Sequence, residues 1–173
     1  ADYFFLINQD AWVEPDKIEI LIEKASLYPD FGLISPMHLN GFKNALDYNF
    51  SSYLTPKYCP ELISDIFTGS IKDQPYDIHF VNAAAWLLSR KCIDTVGGFN
   101  PIFFMYGEDN NYIERIKKHG LRIGITPSAK IFHDREQNHN DTIDNEIEKT
   151  FEKTILLSLN SPEKSNILND YNM

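Results

Sequence analysis

Four side chains of this 173-residue chain stand where they can do chemistry: Asp10, Glu108, Asp109 and His133. Asp10 closes the polar triplet Asn8-Gln9-Asp10 that follows the apolar run Tyr3–Ile7. Glu108 and Asp109 are adjacent acids that lead into a helical pattern, and His133 ends a short extended stretch. A carboxylate and an imidazole can share a divalent cation, with diphosphate oxygens filling its other positions. A second carboxylate off the metal can take a proton from an attacking hydroxyl, and Glu108 beside it would raise its proton affinity. Each residue also has a plainer reading. Asp10 can open a turn, Asp109 can cap the helix after it, and a lone histidine after a strand is more often structural. Trp86, in Ala-Ala-Ala-Trp-Leu-Leu, reads on composition alone as a core residue.

The elements around these residues alternate strand and helix. Tyr3–Ile7 is continuously apolar, as in a strand covered on both faces. Glu14-Pro15-Asp16 opens a helix, with Pro in its first turn and acid at its positive end. Ile18, Leu21, Ile22 and Ala25 predict its buried face, and Tyr28-Pro29 ends it. A strand centred on Leu33–Ser35 follows, which makes a βαβ unit with a right-handed crossover. Residues 40–78 are broken by Gly41, Pro56, Pro60, Gly69 and Pro75 yet rich in aromatics, and predict an irregular insertion over one end of the sheet. A strand is expected from His79, running on or bending through Leu88, and a short helix over Lys91–Val96. A second helix follows Gly107, with Tyr112, Ile113 and Ile116 on its apolar side and Gly120 at its end. Leu121, Ile123 and Ile125 alternate as a strand, Pro127 interrupts it, and Ala129–Phe132 extends to His133. Ile143, Ile147, Phe151 and Ile155 mark a last helix, and residues 161–173 a polar tail. In an open α/β sheet, ligands bind beyond the carboxyl ends of the strands, so all four chemical residues can gather at one sheet edge.

Composition narrows the function classes. Sixteen basic against 25 acidic residues give a net charge of −9, and no basic run offsets it. Duplex nucleic acid and anionic membrane are therefore poor candidates as partners. The apolar runs fall far short of the roughly 20 residues that span a bilayer. Cys59 and Cys92 show no metal-site spacing and suit a reducing compartment.

Together the motifs carry a resemblance. Leu6-Ile7-Asn8-Gln9-Asp10-Ala11-Trp12, Val81–Arg90, Val96-Gly97-Gly98-Phe99-Asn100-Pro101, Phe103–Asn110 and Ile131-Phe132-His133 resemble, in this order, the second half of a family 2 glycosyltransferase of the rhamnosyltransferase-like kind. The block Gly-Gly-Phe-Asn-Pro followed by Gly-Glu-Asp is its most specific part. The resemblance implies part of a GT-A-like α/β fold over residues 1–160, a mixed and mostly parallel sheet flanked by helices, with the nucleotide-binding half expected upstream of Tyr3. It implies inverting transfer of a sugar, rhamnose among the candidates, from a TDP-, UDP- or GDP-linked donor to a saccharide or lipid-linked acceptor. The setting it implies is bacterial surface polysaccharide synthesis, in the cytoplasm or peripheral at the inner face of the membrane, with a homodimer left open. Asn8-Gln9-Asp10 takes the place of the family's Asp-x-Asp motif. Asp10 and His133 would then hold Mg2+ or Mn2+, and Asn8 leaves that site one carboxylate short. Asp109 matches the catalytic base and Glu108 its supporting acid. Trp86 and Tyr106 lie in segments that line the sugar sites, and Asn8 and Asn82 are the polar residues expected at the substrate. Two other classes stay open: a non-catalytic carbohydrate- or partner-binding module on the same fold, and a metal-dependent hydrolase.

Overall fold

The computed structural model describes residues 1–103, 107–134 and 153–157. Tyr106, read above as a sugar-site residue, and most of the expected last helix lie outside them, although residues 153–157 are helical. In chain order the elements are β1 (Tyr3–Ile7), β2 (Ala11–Val13), α1 (Pro15–Leu27), β3 (Phe31–Asn40), α2 (Tyr48–Ser51), a 3-10 turn (Ser52–Leu54), α3 (Leu62–Thr68), β4 (Tyr76–Asp77), β5 (Ala85–Ser89), α4 (Arg90–Val96), α5 (Glu108–Lys118) and β6 (Arg122–His133).

The strands form one mixed sheet in the order β1-β5-β3-β6-β2, with β4 paired to β6. Among the described residues only β3 and β6 run parallel; the other pairings are antiparallel. The expectation of a mostly parallel sheet is corrected here. β1 and β3 do point the same way, as a βαβ unit requires, but β5 enters between them in the opposite sense. The apolar run of β1 therefore belongs to an edge strand covered on both faces. Tyr3 and Phe5 pack toward the α1 side, and Phe4 and Leu6 toward the side of α4 and α5.

The same two-residue alternation sorts the core. Leu33, Trp86 and Leu88 enter the larger cluster with Tyr112, Ile113 and Ile116 of α5. Ile34 and Leu87 face Leu21 and Ala25 of α1. The buried face of α1 is rotated from the expected one: Ile22 is exposed and Lys24 is buried. The lysine stem lies along the sheet while its ammonium reaches Asp73 at 2.8 Å. Residues 40–78 form short helices and a two-residue strand, and Phe50, Leu54, Cys59, Leu62 and Tyr76 bury into the larger core. The stretch from His79 to Ala84 is not a strand; its ties are separate, such as the His79 N–H on the Tyr58 carbonyl at 2.7 Å.

Candidate functional site

β3 and β6 run on past the start of β5, and this overhang carries the site. Across it Asn40 stands beside His133, and Ala11 of β2 beside His133 from the other side. The turn before β2 is set by the Ala11 N–H on the Asn8 carbonyl (3.1 Å) and the Asn8 N–H on the Ala84 carbonyl (3.0 Å). The Asp10 carbonyl accepts from the Asp134 N–H at 2.9 Å. The result is a contact between two residues far apart in sequence: His133 Nε2 is 3.3 Å from Asp10 Oδ1. The imidazole is buried, and the Asp10 carboxylate is 43% exposed.

Behind the imidazole stands a residue that the sequence reading missed. After β3 the chain turns at Gly41–Asn44 and comes back on itself, with the Asp47 N–H on the His38 carbonyl at 2.9 Å. Asp47 is buried, and its Oδ1 accepts from the Phe50 N–H at 2.9 Å, capping α2. Its Oδ2 is 3.4 Å from His133 Nδ1. Its place before a short helix was legible as a cap; nothing in the spacing announced its reach to His133. His38 and Ser35, both buried, were also missed. Their side chains meet at 2.9 Å, and the Ser35 hydroxyl is 2.9 Å from the Ala85 carbonyl. Neither side chain has a path to solvent, so this pair braces β3 against β5.

The acidic pair lies on α5. Gly107 adopts φ 97°, a left-handed turn in which a Cβ would sit 3.0 Å from Phe103. Glu108 and Asp109 then form the first turn of the helix, so the cap is Gly107 rather than Asp109. α5 returns through Gly120 to β6, with the Leu121 N–H on the Ile116 carbonyl at 3.2 Å. Its N-terminus therefore points toward the sheet end where β6 finishes. Burial raises the Asp109 carboxyl above its ordinary range. The Asn110 N–H on its Oδ1 at 2.7 Å and the charge of Lys153 oppose that rise, and Glu108 adds to it. A carboxylate with raised proton affinity suits a general base.

Among the described residues, buried polar atoms without hydrogen-bond partners include Asn82 Oδ1, Glu108 Oε2 and Asn110 Oδ1, as well as Trp86 Nε1 and His133 Nδ1. Hydroxyl donors of a ligand would satisfy the oxygens among them. Trp86 corrects an expectation. Its ring is fully buried, stacked on Tyr112 (6.1 Å) and Phe99 (6.2 Å), so it offers no face to a sugar. Alternation along β5, a strand with neighbours on both sides, turns it into the core.

The metal expectation can be tested on geometry. Two cis ligands of an octahedral cation, each about 2.1 Å from it, lie about 3.0 Å apart. The 3.3 Å between Asp10 and His133 is close to that value. Among the described residues no group of three His, Cys, Asp or Glu converges on one metal position. Asp10 and His133 fit a two-ligand site whose remaining positions fall to a ligand or water.

The mixed sheet flanked by helices has a counterpart among solved structures. The chain superposes on the crystal structure of GalNAc-T7 with UDP, GalNAc and Mn2+ at a TM-score of 0.55. The match covers 77% of this chain and 27% of that one, at 14% identity. The fold is thus the α/β fold of a GT-A glycosyltransferase. By sequence the chain is similar to N-acetylglucosaminyl-diphospho-decaprenol L-rhamnosyltransferase of Mycobacterium tuberculosis, in two strains, at 24% identity over 150 residues. That match takes in 76% of this chain and 47% of each relative, so the chain spans about half the length of the curated relatives it matches. No family model matches the chain.

Proposed function

We propose that the chain forms the cation- and acceptor-side part of an inverting, metal-dependent glycosyltransferase. It moves a sugar, with rhamnose the leading candidate, from a nucleoside-diphosphate donor to a saccharide or lipid-linked acceptor. The proposed setting is bacterial surface polysaccharide synthesis, in the cytoplasm or at the inner face of the membrane. The observation that carries the reading is the 3.3 Å contact between His133 Nε2 and Asp10 Oδ1. It joins an imidazole and a carboxylate at the sheet end toward which the Glu108–Asp109 turn points. That the relatives are named as an L-rhamnosyltransferase supports the sugar class.

A divalent cation held by Asp10 and His133 would offset charge that develops on a leaving diphosphate. Asp109 takes the proton of the acceptor hydroxyl, and its raised proton affinity favours that transfer. Burial keeps that affinity high, with a smaller contribution from the charge of Glu108, and Asn82 and Asn110 accept hydrogen bonds from sugar hydroxyls. One displacement inverts the anomeric centre, with no covalent enzyme intermediate.

A second reading, a non-catalytic saccharide-binding module, is favoured by one observation. Asn8 stands where a second carboxylate would complete a stronger cation site. Titration calorimetry of the full-length protein with UDP, TDP or GDP and Mn2+ tests the transferase reading. Cation-dependent heat with one of the three is expected; no heat with any of them refutes it. Asp109→Asn should keep that heat and lose transfer, whereas a binding module shows no transfer in either protein.

A further inference from the structure

We infer that Asp47 is a positioning residue: it holds the His133 ring with its proton on Nδ1, leaving Nε2 free to ligate a cation beside Asp10. The inference rests on the cation site proposed above and adds to it a residue outside every motif that resembled a family. Three observations carry it.

First, the imidazole lies between two carboxylates, with Asp10 Oδ1 3.3 Å from Nε2 and Asp47 Oδ2 3.4 Å from Nδ1. A neutral ring has one proton, so one nitrogen must face a carboxylate as an acceptor. Second, the two carboxylates are not equivalent. Asp10 is 43% exposed and Asp47 is 2% exposed. Water screens the first and not the second, so the buried charge has the stronger claim on the proton. At 3.4 Å His133 Nδ1 is in ion-pair range of Asp47 Oδ2 but makes no hydrogen bond among the described residues, so the hold is electrostatic rather than directional. Nε2 is then left as a lone pair facing a carboxylate. That arrangement is repulsive by itself and becomes favourable with a cation between the two groups. A metal-ligating histidine whose other nitrogen gives its proton to a carboxylate is a recurring device.

Third, Asp47 cannot turn away. Its Oδ1 is committed to the Phe50 N–H at 2.9 Å, which leaves Oδ2 on the imidazole. Its backbone is fixed as well, because the Asp47 N–H donates to the His38 carbonyl at 2.9 Å. One carboxylate thus caps a helical turn and aims a ring.

The double use defines the test. In Asp47→Asn the carbonyl oxygen must keep the cap on Phe50, because asparagine caps as well as aspartate. The amide NH2 then faces Nδ1, and two donors cannot meet. The ring proton moves to Nε2, where it blocks the cation. Nitrogen-15 NMR of the metal-free chain, followed upward in pH until the ring signals are constant, reads the tautomer, with His133→Gln assigning the signals. Mn2+ titration followed by electron paramagnetic resonance reads the affinity. The proton is expected on Nδ1 in the wild type and on Nε2 in Asp47→Asn, with Mn2+ affinity about 10–100-fold lower and a thermal midpoint close to the wild type. Asp47→Ser keeps a capping oxygen and removes the charge, and should show the same loss if the asparagine variant folds poorly. An unchanged tautomer, or equal Mn2+ affinity in the wild type and both variants, overturns the inference and leaves Asp47 a helix cap. A tautomer that switches as described while even the wild type binds no Mn2+ upholds the positioning of the ring and overturns the cation reading under which it was placed.

Discussion

Replacing Trp86 by alanine separates a core tryptophan from a sugar platform. The ring is fully buried and packs against both Phe99 and Tyr112 at centroid distances near 6 Å, and those two rings also meet each other at 4.8 Å. Truncating such a residue removes its transfer free energy and leaves a cavity that rigid neighbours close only in part. The expected loss is about 3–5 kcal/mol. For a chain of this size each kcal/mol moves the thermal midpoint by about 2–4 °C, so a fall of about 6–20 °C is expected. Urea unfolding followed by far-UV circular dichroism is the assay, because Trp12 would still fluoresce. Trp86→Phe is the internal control. The indole N–H has no partner among the described residues, so losing it sheds a buried unsatisfied donor. That gain offsets part of the smaller cavity, and the cost should be no more than about half that of alanine. Ligand affinity should change only indirectly, through Tyr112, one turn along α5 from Asp109 and bonded to the Gly97 carbonyl at 3.0 Å. A stability loss below about 1 kcal/mol, together with a collapse of saccharide or nucleotide affinity, would refute the core assignment.

Two further outcomes test the architecture. Asp109 has a carboxyl raised above its ordinary range mainly by burial, so its charged form opposes folding. The burden is full above the folded-state value and fades as pH falls through it toward the unfolded value. Asp109→Asn should therefore unfold at higher urea than the wild type near neutral pH, with the gap closing toward acid; a gap that widens on acidification contradicts the burial argument. Gly124→Ala should cost about 1–3 kcal/mol. A Cβ there would lie 2.6 Å from Phe31 Cε1 and 3.0 Å from Pro75 Cβ, and an unchanged urea midpoint would mean that Phe31 is free to move.

The legible parts of the fold were those set by local pattern. The start of α1 at Pro15 and the α5 turn at Gly107 depend on neighbours in sequence. The Asp10–His133 contact was also anticipated, from the rule that chemistry collects beyond strand ends. The failures share a cause. Lys24 is buried because Asp73, far along the chain, meets its ammonium, and no helical period encodes that. The sheet is mostly antiparallel because β5 enters between β1 and β3 in the opposite sense and because β2 and β4 both run against β6, pairings between segments far apart in sequence. Trp86 was drawn toward a sugar site by its motif, although composition alone assigned it to the core, where the structure has it. Asp47 needed the return after β3 to reach His133, and its own segment reads only as a cap.

That return works because of an irregularity in β6. Along the first part of the β3–β6 ladder, Leu33 pairs with Ile123 and Ser35 with Ile125, like parity with like. The register then jumps: Pro36 pairs with Thr126 and Met37 with Lys130, so residues 127–129 are extra. Pro127 has no N–H to give to a ladder, which suits it to the bulge. The insertion is an odd number of residues, and side chains alternate with a period of two. Beyond the bulge, odd residues of β6 stand beside even residues of β3, as His133 does beside Asn40. An unbroken ladder would have carried His133 three positions past the end of β3. The bulge thus sets the height of the imidazole. It places His133 opposite Ala11, with Asp10 one residue away, and beside the returning segment that carries Asp47.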